Sequence, residues 1–152
     1  MKTLQILVVE DSPSDARLIR EALRETAVEV QITVARDGVE AMDSLNGGGK
    51  TPADRPDLIL LDLNLPRKNG REVLAEIKSS PDLRQIPVLV MTSSRADEDV
   101  ARAYSLNANC YIVKPHELSE YVRVIRAIED FWFFTATLPD GLPRIAPVQR
   151  GL

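Results

Sequence analysis

One stretch, residues 57–70 with the sequence DLILLDLNLPRKNG, constrains the fold of this chain more than any other. It begins as an apolar run and ends in the carboxylate of Asp62, a loop containing Pro66, and Gly70. A short apolar run bounded by turn residues predicts a strand buried on both faces, as in a parallel sheet. Asp62 would then lie at the carboxyl edge of the sheet, where α/β proteins bind their ligands. We therefore treat Asp62 as a candidate reactive carboxylate.

Segments with strand-like and helix-like patterns alternate five times along the chain. We predict strands at the start of that stretch and at residues 4–9, 28–35, 87–91 and 110–113. We predict helices at residues 13–26, 38–45, 70–79, 97–105 and 117–134. This alternation indicates an α/β fold with a five-stranded parallel sheet, doubly wound with helices on both faces. We assign residues 1–134 to one domain and residues 135–152 to a C-terminal extension.

The composition excludes several classes of protein. The net charge of −4 argues against a broad attraction to nucleic acid or to an anionic membrane surface. The single cysteine, Cys110, excludes an intrachain disulfide and fits a reducing compartment. No apolar run approaches the length that spans a membrane, and the N-terminus lacks the pattern of a signal peptide. We expect a soluble, cytoplasmic protein.

Polar side chains follow four of the predicted strands. Glu10 and Asp11 follow the first strand, Asp62 the third, Thr92 the fourth and Lys114 the fifth. In a parallel sheet these ends meet at one edge, and each close pair of carboxylates there repels by about 4 kcal/mol at an intermediate dielectric. Taken singly, each acid is most simply a helix cap or a loop charge. Taken together, the set predicts a binding site for a cation.

This set of residue types favours phosphoryl chemistry. All-oxygen ligands with open coordination positions suit Mg²⁺, which keeps several waters and readily meets a phosphoryl group. With Mg²⁺ and Lys114 neutralising the pocket, Asp62 can attack phosphorus and form an aspartyl phosphate. Thr92 could then donate its hydroxyl to the new phosphoryl oxygens.

Four motifs in order resemble the receiver domain of two-component response regulators: VVEDS at residues 8–12, LDLNLP at 61–66, MTS at 91–93 and YIVKP at 111–115. The resemblance covers residues 4–134. It implies a flavodoxin-like fold with strand order 2-1-3-4-5. It also implies a response regulator that accepts a phosphoryl group from a phosphohistidine on a sensor histidine kinase. Such a protein is not a conventional enzyme, because it catalyses only its own phosphorylation and dephosphorylation.

The resemblance also implies a metal site and a phosphoacceptor. Asp62 would be the phosphoacceptor and would also contact Mg²⁺. Asp11 would bind Mg²⁺ directly and Glu10 through water, and the backbone carbonyl of Asn64 would complete the protein ligands.

A second group of implied residues would bind the phosphoryl group and transmit its arrival. Thr92 and Lys114 would bind the phosphoryl oxygens, and the Lys114–Pro115 bond would be cis. Tyr111 would turn inward as Thr92 moves, which would switch a surface formed by the fourth helix, the fifth strand and the last helix.

The C-terminus carries more apolar surface than one helix face can bury. Four consecutive aromatic residues, at positions 131–134, cannot all point into one core, and exposed they would form a patch that monomers rarely tolerate. Either the tail or another chain covers them, and we favour a homodimer whose formation is coupled to phosphorylation. The predicted dimer surface comprises Tyr121, Val124, Phe131, Trp132, Phe133 and Phe134. After Pro139 we expect a mobile tail, too short for a DNA-binding domain.

The last helix and its extension also resemble those of response regulators that partner bacterial and cyanobacterial phytochromes, which implies a phytochrome as the kinase. Two other functions remain as alternatives. A receiver fold could serve as a scaffold without phosphorylation, although the complete set of acids, threonine and lysine argues against this. A flavin-binding module is disfavoured because Asp11-Ser12-Pro13-Ser14, and no glycine-rich phosphate loop, follows the first strand.

Overall fold

The computed structural model describes residues 3–25, 28–47 and 55–139 of the chain. Within these residues the strands are β1 (Leu4–Val9), β2 (Val30–Ala35), β3 (Leu58–Leu61), β4 (Val88–Thr92) and β5 (Cys110–Val113). The helices are α1 (Pro13–Arg24), α2 (Gly38–Asn46), α3 (Gly70–Ser79), α4 (Asp97–Ser105) and α5 (Leu118–Ile128). The strands pair in parallel in the order β2-β1-β3-β4-β5, which confirms the predicted fold class.

The sheet separates two apolar cores, because successive side chains of a strand point to opposite faces. On β3, Ile59 and Leu61 enter the core beneath α2, α3 and α4, whereas Leu58 and Leu60 enter the core beneath α1 and α5. All four side chains are buried, so β3 is the doubly covered strand that its continuous apolar run predicts. The end of β3 therefore has a fixed position at the middle of the sheet edge.

Short polar residues determine where the helices begin. The Ser12 hydroxyl accepts a hydrogen bond from the backbone N–H of Asp15, and Pro13 occupies the first turn of α1. Asp37 caps α2 and Asn69 caps α3 in the same way. The predicted end of α1, at residue 26, lies outside the described residues.

The sequence predicts a last helix that runs regularly to Phe134, but the regular α-helix ends at Ile128. After Ile128 the backbone widens into a π-helical segment, Glu129–Thr135, which ends with a hydrogen bond from Ala136 N–H to the Phe131 carbonyl. The wider turn changes the angular position of successive side chains. As a result Phe133 enters the core, while 52% of the Phe131 surface stays exposed.

This geometry corrects the predicted dimer surface. Tyr121 and Phe133 are only 1% and 4% exposed because they pack within the core beneath α1 and α5. Leu138 is buried in the same core, so the chain covers part of the apolar surface itself. Phe131 is exposed, and the remaining three members of the predicted surface, Val124, Trp132 and Phe134, are partly buried. The predicted mobile tail, residues 140–152, lies outside the described residues.

The segments described at residues 3–25, 28–47 and 55–139 include no helix with the length and apolar character needed to cross a bilayer.

Candidate functional site

Backbone hydrogen bonds bring the polar strand ends to one level of the sheet edge. The N–H of Asp62 donates to the Val9 carbonyl over 3.0 Å, and the N–H of Lys114 donates to the Thr92 carbonyl over 2.8 Å. The N–H of Glu10 donates to β2 in the same way. The residue that follows each strand is therefore positioned by the ladder itself, and the predicted convergence is present.

Three carboxylates form a cluster at this edge. Oxygen atoms of Glu10, Asp11 and Asp62 all lie within 4.8 Å of one another. Glu10 and Asp62 are buried, whereas Asp11 is exposed and leaves the cluster open to solvent on one side. Hard oxygen donors with an open side suit a divalent cation that retains water ligands. The cluster is thus a candidate divalent metal site.

The ammonium of Lys114 is the buried cation that faces these acids. Its Nζ lies 2.5 Å from Glu10 Oε1, 2.8 Å from Asp62 Oδ2 and 2.9 Å from Asp15 Oδ2. Burial lowers the pKa of Lys114, but hydrogen bonds to Asp62, Glu10 and Asp15 outweigh it and raise the pKa above its ordinary value. Lys114 therefore stays charged, with all three of its protons directed to carboxylates.

The negative charge at the site exceeds what Lys114 can neutralise. Burial raises the pKa of Glu10 to about 7, and the charge of Asp62 adds to this effect, while the hydrogen bond from Lys114 opposes it. The backbone N–H of Ser12 also donates to Glu10 Oε2 over 3.1 Å. A carboxyl pKa perturbed by burial and by a charged neighbour is typical of a functional site.

The loop after β3 holds the Asp62 carboxylate from the other side. The backbone N–H of Asn64 donates to Asp62 Oδ1 over 3.1 Å. Gly70 closes this loop with a hydrogen bond from its N–H to the Leu63 carbonyl, and a Cβ atom there would lie 2.2 Å from the Asp62 carbonyl oxygen. Only glycine fits this close backbone approach. The loop thus fixes the oxygen that does not contact Lys114.

One buried hydroxyl at this edge of the sheet belongs to Thr92. Thr92 is 0% exposed, and its Oγ1 has no partner among the residues that the structure describes. A buried hydroxyl without a partner costs free energy, and each such group in a native protein calls for an explanation. An oxygen-rich ligand beside Asp62 would supply the missing partner.

Tyr111 already contacts the loop that follows Thr92. Its hydroxyl donates to the Ser94 backbone carbonyl over 3.0 Å, and its ring packs partly buried against the core beneath α2, α3 and α4. The Ser94 hydroxyl donates to Asp99 of α4, and Asp99 also pairs with Arg71 of α3 over 2.6 Å. These contacts connect the predicted switch residue to two helices.

Sequence reasoning missed one member of the site. Asp15 is not among the site residues that the sequence predicts, yet its carboxylate contacts Lys114. A signal for it is present in the sequence, because the first turn of a helix that leaves the sheet edge lies beside the strand ends. Asp15 follows Asp11 by four residues and occupies that turn.

The peptide bond between Lys114 and Pro115 corrects a further expectation. It is trans, since the described residues contain no cis peptide bond. Trans is the lower-energy isomer of such bonds by roughly 0.5–1 kcal/mol, and Lys114 reaches its carboxylates with this isomer.

Comparisons with known proteins agree with this geometry. Residues 6–126 match the family model described as the response regulator receiver domain. Response regulator Rcp1 of Synechocystis is 48% identical over 135 residues, which cover 88% of this chain and 92% of that protein.

Two solved structures are similar over nearly their whole length. The phosphorylated cyanobacterial phytochrome response regulator RcpA is 51% identical with a TM-score of 0.84, covering 90% of this chain and 99% of that one. The Mn²⁺-bound form of Rcp1 is 47% identical with a TM-score of 0.81, at the same two coverages of 90% and 99%. The family match at residues 6–126 spans every strand end that contributes to the site.

Proposed function

Because the chain belongs to the response regulator receiver domain family, we propose that Asp62 is its phosphoacceptor, with a phosphohistidine of a sensor histidine kinase as donor. The observation that carries this proposal is the surroundings of Asp62. Asp62 contacts a buried ammonium and lies in a cluster with an exposed acidic neighbour. The same sheet edge carries the buried Thr92 hydroxyl, which has no hydrogen-bond partner among the described residues.

The charged surroundings of Asp62 suit a phosphoryl transfer to its carboxylate. A lone pair of the carboxylate forms the new P–O bond while the P–N bond to the histidine breaks, and that electron pair stays on the imidazole. Lys114 keeps its proton and neutralises charge on the phosphoryl oxygens. Thr92 donates its hydroxyl to one of those oxygens and so gains a partner, which it does not have among the described residues.

We propose Mg²⁺ as the divalent ion at this site. The donor set fits, because it consists of carboxylates with one open side. Glu10, Asp11 and Asp62 would hold the ion together with the backbone carbonyl of Asn64. Bound there, it would supply positive charge to the phosphoryl oxygens. The Mn²⁺-bound form of the relative Rcp1 supports a divalent ion.

Phosphorylation would be read at α4, β5 and α5. If Thr92 moves to the phosphoryl group, the β4–α4 loop moves with it, and the Tyr111 bond to the Ser94 carbonyl is the contact that must rearrange. Slow hydrolysis of the aspartyl phosphate returns the site to its starting state, so the chain acts on itself and not on a separate substrate.

The partners are a kinase and a second copy of the chain. The similarity to RcpA, a cyanobacterial phytochrome response regulator, supports a phytochrome as the kinase. The exposed ring of Phe131, with the partly buried Val124, Trp132 and Phe134, supports a homodimer through the last helix and its extension. We retain the division into a receiver domain at residues 1–134 and an extension at residues 135–152.

Incubation with a small phosphodonor and Mg²⁺ tests the phosphoacceptor directly. The phosphorylated fraction of the native chain, of Asp62→Asn and of the control Asp43→Asn, an exposed carboxylate on α2, is read by intact mass. We expect label on the native chain and on the control, none on Asp62→Asn, and none without a divalent ion. Equal label on Asp62→Asn would overturn the assignment, and an unlabelled native chain would favour the scaffold alternative.

A further inference from the structure

Lys114 has three carboxylate partners that differ in one respect. Glu10 and Asp62 belong both to the set around Lys114 and to the cluster that fits a divalent ion. Asp15 contacts Lys114 over 2.9 Å but is not a member of that cluster. Asp15 is therefore the only one of the three whose charge is not shared with the metal site.

The position of Asp15 is set independently of the metal site. It lies in the first turn of α1, where its backbone N–H donates to the capping hydroxyl of Ser12 over 3.3 Å. Asp15 and Lys114 are 99 residues apart along the chain, and the Asp15 carboxylate contacts Lys114 from the first turn of α1. A helix turn fixed by its own cap provides a rigid support for a charge.

Metal binding and Lys114 compete for the same charges. A divalent ion among Glu10, Asp11 and Asp62 would bring two positive charges close to the Lys114 ammonium. The ion and the ammonium would repel each other. The same ion would weaken the attraction of Glu10 and Asp62 for Lys114, because each carboxylate would then share its negative charge between two cations. Without another carboxylate, only a weak electrostatic attraction would hold Lys114 beside Asp62 when the metal is bound.

We propose that Asp15 is a positioning residue that holds the Lys114 ammonium beside Asp62 once a divalent ion shares the other two carboxylates. The inference rests on the proposed function, since it concerns the state in which Asp62 is ready to be phosphorylated. Asp15 acts through Lys114 and does not itself touch the phosphoryl group or the metal.

The test follows the Lys114 ammonium directly. A lysine ammonium gives a strong signal in a proton-detected proton–nitrogen NMR spectrum only when its protons exchange slowly with water, as they do when hydrogen bonds hold them. We compare the native chain, Asp15→Asn, Asp15→Glu and the charge-matched control Asp43→Asn, each with and without Mg²⁺. Phosphorylation rates with a small phosphodonor are measured on the same four proteins.

For the native chain and Asp43→Asn we expect a Lys114 signal in both conditions. For Asp15→Asn we expect the signal without Mg²⁺, where Glu10 and Asp62 still hold the ammonium, and its loss when Mg²⁺ is added. Its phosphorylation rate should fall about tenfold or more, because a neutral amide oxygen holds the ammonium much less strongly than a carboxylate does. Asp15→Glu, which keeps the charge, should recover part of both properties.

A Lys114 signal that persists in Asp15→Asn with saturating Mg²⁺, or a phosphorylation rate equal to that of the native chain, would overturn the inference. Both outcomes are distinct from failure of the proposed function, which would appear as a native chain that takes no label at all. A merely structural role for Asp15 would lower the unfolding midpoint without making the Lys114 signal depend on Mg²⁺.

Discussion

The Asp62 carboxylate accepts a hydrogen bond from the Lys114 ammonium over 2.8 Å, although 52 residues separate the two along the chain. Both side chains are buried, and a buried charge is tolerated only when it is paired. Because Glu10 and Asp15 contact the same ammonium, one cation holds three acids from three different segments. Lys114 is therefore as important to the stability of the sheet edge as it is to the proposed chemistry.

Replacing Lys114 with methionine should destabilise the chain strongly. The substitution keeps the apolar stem but leaves buried carboxylates unpaired, which costs about 3–5 kcal/mol in the free energy of unfolding. Urea denaturation without divalent ions measures this loss, and added Mg²⁺ should restore part of it. Lys68→Met is the control, because the Lys68–Glu76 ion pair lies nearer the surface and should contribute less than about 1 kcal/mol. A loss below about 1 kcal/mol for Lys114→Met would contradict the argument.

Replacing Thr92 with valine should lower phosphorylation without lowering the free energy of unfolding. Valine has nearly the same shape and removes a buried hydroxyl that has no partner among the described residues, so the free energy of unfolding should stay equal or rise by about 1 kcal/mol. The phosphorylated fraction at steady state should fall several-fold, because the phosphoryl oxygens lose a donor. Thr33→Val, at an exposed position on β2, should leave the phosphorylated fraction unchanged. A clear loss of stability in Thr92→Val would show that the hydroxyl is bonded in solution.

The fold and most of the site could be predicted from the sequence for a local reason. Apolar runs define the strands, and in a parallel sheet the residue after each strand has only one edge to occupy. Glu10, Asp62, Thr92 and Lys114 are therefore brought together by the topology alone.

Other features depend on contacts that the local sequence does not reveal. An acid in a first helical turn looks the same whether it faces solvent or a lysine, so Asp15 was missed. The burial of Tyr121 and Phe133 depends on tertiary packing, including the π-helical segment and the return of Leu138 to the core. Whether the Lys114–Pro115 bond is cis or trans depends on a free-energy difference smaller than the contribution of most single contacts.

Replacing Gly70 with alanine should affect both stability and phosphorylation. The new Cβ would lie 2.2 Å from the Asp62 carbonyl oxygen and 2.5 Å from Leu63 Cα, so the backbone next to the phosphoacceptor must move. Such overpacking costs about 1–3 kcal/mol in the free energy of unfolding. We expect a slower phosphorylation rate as well, because Asp62 shifts relative to Lys114.

Ala75→Gly provides the control for Gly70→Ala. Ala75 lies in α3, and glycine within a helix lowers the free energy of unfolding by about 1 kcal/mol without steric conflict at the site. Its phosphorylation rate should match that of the native chain. If Gly70→Ala and Ala75→Gly are phosphorylated at the same rate, displacement of Asp62 does not slow phosphorylation.

The carboxyl group of Asp99 should titrate at unusually low pH. Hydrogen bonds from Ser94 and then Arg71 lower the pKa of Asp99 below its ordinary 3.8. Because the folded value is the lower one, Asp99 adds stability above pH 3.8 and loses this contribution as the pH falls through its folded pKa. Carboxyl NMR titration measures the midpoint, and both Ser94→Ala and Arg71→Ala should raise it. A midpoint at or above the ordinary value in the native chain would contradict this prediction.

The exposed ring of Phe131 should hold the homodimer together. It is 52% exposed and packs edge-on against Trp132, with ring centroids 5.1 Å apart, at the end of an apolar helix surface. Because exposed aromatic residues at the centre of an interface often contribute 2 kcal/mol or more, Phe131→Ser should weaken dimerisation by about 30-fold. Sedimentation velocity over a range of concentrations measures the dissociation constant, with and without beryllofluoride as a phosphoryl mimic.

Leu118→Ser is the matched control for Phe131→Ser. Leu118 is 45% exposed, lies at the opposite end of α5 and is not part of the proposed dimer surface, so its loss should leave the dissociation constant unchanged. The phosphoryl mimic should strengthen the native dimer, because the switched surface includes the same helix. A native chain that stays monomeric at every concentration would exclude the dimer, and equal affinities with and without the mimic would exclude only its coupling to phosphorylation.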